Sequence, residues 1–211
     1  MNKVKILMTL FVSSILLLFV SSILLLLVSH PQEIAATTSK SNVETHATFS
    51  KVMTYDQMIE QLTNDLQLSS TKARQKLESS DKIVHTVTRN RATFRVLSHT
   101  VTVNKTYKPT MRFYCETSES GHFRAIKRII AINLVREDQE VAKAFSGTVY
   151  VNLEEANRIY YIVNGDFFNQ GTTSWQNGST SGVDSALDLR FTTKDAGSHY
   201  QYSYSEHRII F

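Results

Sequence analysis

From Ile6 to Val28 the chain runs for 23 residues without a charged side chain, a length that core helices of soluble domains rarely reach. Its only polar members are Thr9, Ser13, Ser14, Ser21 and Ser22. Lys3 and Lys5 precede it, and residues 1–30 contain no acid. A basic start followed by an apolar run is the layout of a secretory signal. As a helix the run would extend roughly 35 Å, more than the roughly 30 Å of a hydrocarbon core. Its length has a visible origin. Residues 11–18 read FVSSILLL, and residues 19–26 read FVSSILLL again. Removing one copy of eight leaves 23 − 8 = 15 residues, the size of an ordinary signal segment.

Residues 1–30 are therefore read as a signal peptide or membrane anchor, lengthened by duplication. Hydrophobic length favours an anchor held in the membrane through residues 6–28, while the small residues Ala35, Ala36 and Ala47 permit cleavage and secretion. In both cases the two lysines stay inside and the remainder is extracytoplasmic.

This placement narrows the chemistry. The whole chain has 23 Lys and Arg against 19 Asp and Glu; without Lys3 and Lys5 the count is 21 against 19, a net +2 for residues 31–211. That is too little charge for nucleic-acid binding, and no nucleic acid is expected as a partner. Cys115 is the single cysteine, so an intrachain disulfide is impossible. Exported eukaryotic domains usually carry paired cysteines, so the pattern points to a bacterial cell envelope.

The exported part divides by texture. Residues 31–52 are small and polar and read as a linker. Residues 53–80 read as a helical hairpin: Thr54 and Gln57 have the spacing of a capping box, Met58, Ile59, Leu62 and Leu66 recur at helical intervals, and Ser69 or Ser70 can cap a second helix bearing Ala73 and Leu77. Apolar helix, turn and alanine also occur in DNA-binding helix-turn-helix units, but no recognition helix or basic stripe follows.

Residues 81–211 read as a β-rich domain, an antiparallel sandwich or barrel. Runs rich in Val, Thr, Ile and aromatics occupy 82–103, 110–117, 122–134, 146–153, 158–168, 186–193 and 199–211, with turn residues between them. Val101 and Val103 alternate with threonines as in a strand. Ile126, Ile129 and Ile130 also fit a helical interval, so 123–134 has two readings. Residues 169–184 read as a loop.

Motifs that carry catalysis are missing from the sequence: it has no GxSxG elbow, phosphate loop, dinucleotide fingerprint or HExxH pair. No catalytic residue, metal ligand or cofactor is assigned. Cys115 has no local base and reads as a small buried hydrophobe. His85, His99 and His207 lack short-range ligand spacing, although a β-fold could gather them. Glu154, Glu155, Asp166, Asp184 and Asp188 are acids of the kind found at any sheet margin.

Aromatic residues concentrate near the C-terminus. The candidate binding surface comprises Trp175, Tyr200, Tyr202, Tyr204, Phe167 and Phe168. The three tyrosines alternate, which puts them on one face of a strand, and Trp175 lies within a Gly/Ser/Asn loop. Tyr and Trp faces serve as platforms for proteins and carbohydrates, and also as half-buried sheet packing.

The leader of residues 1–28, the hairpin TYDQMIEQLTNDL and the stretch YYIVNGDFFNQGTTSWQNGS resemble in layout the uncharacterised exported proteins of Gram-positive bacteria. Those pair a signal or anchor with a short helical hairpin and a β-rich domain. The resemblance implies no activity and no site residues. The expected function is that of an exported, envelope-associated, non-enzymatic binding domain, with a cell-wall polymer or an envelope protein as partner. A small secreted hydrolase, and an immunity or inhibitor protein acting on a secreted partner, are the alternatives.

Overall fold

The structure, a computed structural model, describes residues 47–78, 92–175, 181–182 and 186–211, with the side chains of Trp175, Ser181 and Gly182 left aside. The expected anchor, the linker up to residue 46, Ser79, Ser80, the run 82–91 with His85, and Asp184 lie outside the described residues. Among those described, no helix is long and apolar enough to cross a membrane.

The hairpin forms where its capping signals stand. Helix α1 spans Tyr55–Leu66 and α2 spans Ser70–Glu78. The Thr54 hydroxyl accepts from the Gln57 backbone N–H at 3.4 Å, and Gln57 Oε1 accepts from the Thr54 N–H at 2.9 Å, closing the capping box. Ser69 Oγ accepts from the Lys72 N–H at 3.3 Å at the start of α2. Met58, Ile59 and Leu62 of α1 and Ala73 and Leu77 of α2 form the buried stripe.

Among the described residues, twelve strands follow or flank the hairpin: β1 Thr48–Phe49, β2 Thr93–Thr100, β3 Thr110–Ser120, β4 Phe123–Val135, β5 Glu137–Asp138, β6 Val141–Ala142, β7 Ala144–Glu155, β8 Arg158–Phe168, β9 Thr172–Trp175, β10 Ser181–Gly182, β11 Ala186–Lys194 and β12 His199–Ile210. They make one sheet in the order β1-β2-β3-β4-β10, a second in the order β12-β8-β7-β11-β9, and a small β5-β6 ribbon. Every pairing is antiparallel.

Two cores result. Phe113, Ile126, Ile129 and Ile132 of the first sheet and Phe145, Tyr161, Val163 and Phe167 of the second share one buried cluster, so the sheets bury their facing sides together. The hairpin buries its stripe with Phe94, Val96, Tyr114, Ile130 and Ala131 of the first sheet in another. Polar ties seat the hairpin: Arg128 donates through Nη2 to the Leu77 carbonyl at 2.6 Å, answering a free helix-end acceptor, and through Nε to Glu116 at 2.8 Å.

Residues 123–134 form a strand, the first of their two readings. The structure corrects two other expectations. The chain leaves the first sheet after Thr100: Val101 donates to the Pro109 carbonyl at 2.8 Å, and Val101 and Val103 are buried from a folded-back loop rather than from a strand. Residues 169–184 are not one loop, because β9 pairs with β11, setting Trp175 opposite Phe191, and β10 pairs with β4.

Candidate functional site

The hairpin covers the outer face of the first sheet. Among the described residues, nothing covers the outer face of the second. Strict alternation in β8 sends Ile159, Tyr161, Val163 and Phe167 inward and leaves Tyr160, Ile162, Asn164, Asp166 and Phe168 outward. In β7, Tyr150 and Asn152 face out between the buried Val149, Val151 and Leu153. In β12, Tyr202 and Tyr204 face out, each 54 % exposed, with Glu206, Arg208 and Ile210 beyond them.

Register assembles these into a platform. Tyr204 lies opposite Asn164, Glu206 opposite Ile162 and Arg208 opposite Tyr160. On the other side of β8, Tyr150 lies opposite Ile162 and Asn152 opposite Tyr160. The Tyr150 and Tyr160 rings meet edge to face at 6.1 Å, and the Arg208 guanidinium sits 4.7 Å above the Tyr160 ring. The Tyr202 hydroxyl donates to Asn164 Oδ1 at 2.8 Å. The Tyr204 hydroxyl donates to Glu206 Oε1, and that bond to a carboxylate pushes its pKa up to about 12. Glu154 forms an ion pair with Arg158 at 2.9 Å and accepts from Arg208 Nε at 3.4 Å, completing a mixed-charge margin.

Of the six aromatic residues singled out in the sequence, Tyr202 and Tyr204 lie on this face. Phe168 is half-buried on it beside His199, whose ring is 5.7 Å away. Two do not belong to it. Phe167 is fully buried between the sheets, because its neighbour Phe168 takes the outward position. Tyr200 does not share the face of Tyr202 and Tyr204. The register slips between His199 and Gln201, and the extra residue at this bulge packs against Tyr107 at 5.8 Å and under Lys143, whose Nζ lies 3.6 Å from its ring. The Trp175 side chain lies outside the described residues. Tyr150, Tyr160, Ile162 and Arg208 of this face are not among the six. The signal for them was the alternation of β7 and β8, read with Tyr161 inward.

A second constellation is closed. His99 of β2, Tyr161 of β8 and His207 of β12 meet within the shared core. His99 Nδ1 is hydrogen-bonded to the Tyr161 hydroxyl. Burial and the neighbouring His207 bring the His99 pKa down to about 4, and burial lowers that of His207. His99 is 2 % exposed and Tyr161 is fully buried, whereas His207 is only partly buried. Among the described residues, no group of three His, Cys, Asp or Glu side chains could hold a metal ion.

Neither of two clefts among the described residues gathers a free acid–base pair. The larger, about 670 Å³, is lined by residues 121–125, Ala156, Asn157 and Phe211. In the smaller, about 280 Å³, Asp65 is already paired with Arg112 at 3.1 Å. Among the other acids, Asp166 is bound to His199 at 2.8 Å and Glu155 to Arg158 at 2.7 Å.

Compared with protein-family models, with curated proteins and with solved structures, the chain has no match.

Proposed function

We propose that the chain is an exported, envelope-associated binding protein that offers the outer face of its second sheet to a cell-wall polymer. One observation carries this reading. The first sheet has a helical hairpin packed on its outer face, whereas the second carries Tyr150, Tyr160, Ile162, Tyr202 and Tyr204 outward and uncovered among the described residues. Tyrosines on a stiff sheet lose little conformational freedom on binding and present both a ring for stacking and a hydroxyl for hydrogen bonding. Sugar rings have the complementary surface, apolar on one face and rimmed with hydroxyls. The Asn164 amide, the Glu206 carboxylate and the Arg208 guanidinium supply further polar contacts. The export segment expected at residues 1–30 supports a partner in the envelope.

The test is co-sedimentation of Val43–Phe211, which form a compact unit, with isolated bacterial cell walls. Binding is expected, and Tyr202→Ala together with Tyr204→Ala weakens it about tenfold while the melting temperature holds. Failure of the unaltered domain to pellet, or equal pelleting of the double variant, overturns the reading.

A further inference from the structure

We propose that the outer edge of β12 pairs with β12 of a second copy of the chain, joining two second sheets into one continuous sheet about a two-fold axis. β12 ends its sheet, and among the described residues its only strand partner is β8. The other three terminal strands of the two larger sheets are short: β1 and β10 have two residues each and β9 has four. β12 has twelve. Proteins usually blunt such an edge by shortness, proline, lysine or a mid-strand bulge. HYQYSYSEHRII contains no proline and no lysine, and its bulge lies at the N-terminal end, leaving Gln201–Ile210 regular.

The backbone direction follows from one bond. Phe211 N donates to the Asn157 carbonyl at 2.8 Å, in register with Ile210 opposite Arg158. Antiparallel alternation then turns the odd-numbered residues of β12 toward β8. The N–H and C=O groups of Tyr202, Tyr204, Glu206, Arg208 and Ile210 point away, along the free edge. A second antiparallel strand must pair with these even-numbered positions.

Charge selects among the registers this allows. With Glu206 opposite Arg208 of the copy, two-fold symmetry repeats the pair with the roles exchanged, and Tyr204 falls opposite Ile210 twice. Tyr204 is 54 % and Ile210 57 % exposed in the single chain, and each covers the other in the pair. Sliding the copy by one step to the next even register sets Glu206 against Glu206 in one direction and Arg208 against Arg208 in the other. Like charges directly opposite are unfavourable, so the edge is complementary to itself in one register and discourages both neighbours.

Disulfide trapping in the full chain tests this, in detergent solution that keeps residues 6–28 dispersed. Directly opposed positions of a hydrogen-bonded pair lie within disulfide reach, roughly 5.5 Å between Cα atoms. Mixing Glu206→Cys chains with Arg208→Cys chains under mild oxidation is expected to give a mixed dimer far in excess of either self-linked species. The native Cys115 is buried and does not compete. Glu206→Arg should weaken association about tenfold, and adding Arg208→Glu in the same chain should restore it, with circular dichroism confirming the fold of each variant. No mixed dimer, equal amounts of mixed and self-linked species, or a charge reversal without effect overturns the proposal. Wall binding is scored separately, by pelleting, so either reading can fail alone.

Discussion

His99 and His207 meet edge to face inside the core, their ring centroids 4.7 Å apart, one contributed by each sheet. Among the described residues, neither Nε2 has a hydrogen-bond partner. Burial therefore disfavours the charged form of both rings. The folded-state pKa of His99 is about 4, below the unfolded value of 6.5, so the unfolded chain binds the proton more tightly. Stability is complete above pH 6.5 and falls as the pH drops toward 4, by up to about 3 kcal/mol from His99. Urea unfolding at pH 7.5, 5.5 and 4.5 should show this loss, and His99→Gln should flatten the slope relative to the unaltered chain. A slope that His99→Gln leaves unchanged would show that the pair does not titrate on unfolding.

Gly147 and Gly165 face each other across β7 and β8. A Cβ on Gly165 would come within 2.4 Å of the Ser146 carbonyl and 2.9 Å of the Phe145 ring. Backbone cannot give way as a side-chain tip can. Gly165→Ala should destabilise the domain by about 1–3 kcal/mol through overpacking, measured as a lower urea midpoint with an unchanged slope.

Cys115 is fully buried between the sheets, and burial raises its thiol pKa. The thiolate is the reactive form. Folded protein should therefore react with a thiol reagent at a rate set by unfolding, and urea should accelerate labelling by orders of magnitude. Fast labelling without denaturant would contradict the burial.

The hairpin was legible because its signals are local: Thr54 and Gln57 cap one helix, Ser69 caps the next, and both structures form as spaced. The two readings of residues 123–134 have a physical cause. The β3–β4 register slips at Tyr114/Cys115 and again at Glu116/Thr117. Each slip adds a residue to β4, so Ile126, Ile129 and Ile132 all reach the shared core at intervals of three. A doubly bulged strand thereby imitates a helical period. The same physics moved Tyr200: alternation predicts its face only while register holds, and the bulge at its position is made by pairing with β8, which local sequence does not report. Tyr160 and Tyr161 show the converse. Both are strand tyrosines, and only the partner sheet decides that Tyr161 is core and Tyr160 surface.

Asp65 ties the hairpin to the first sheet. Its Oδ2 accepts from the Tyr114 hydroxyl at 2.7 Å and from Gln61 Nε2 at 2.8 Å, and Arg112 approaches it at 3.1 Å. Tyr114 is fully buried, so its hydroxyl depends on this acceptor; burial and the carboxylate both raise the pKa of Tyr114. Asp65→Ala removes the acceptor and leaves a buried donor unmet, a change that costs about 1–3 kcal/mol. Asp65→Asn keeps an acceptor oxygen and should cost less, losing mainly the half-exposed Arg112 contact, which is weak in water. The ordering Asp65→Ala below Asp65→Asn below the unaltered chain is expected in urea unfolding. Hydrogen exchange should show the Asp65→Ala loss concentrated in α1 and α2, because the shared core between the sheets does not contain Asp65. Equal stability of the two variants would mean that the ion pair, and not the Tyr114 hydroxyl, holds the hairpin in place.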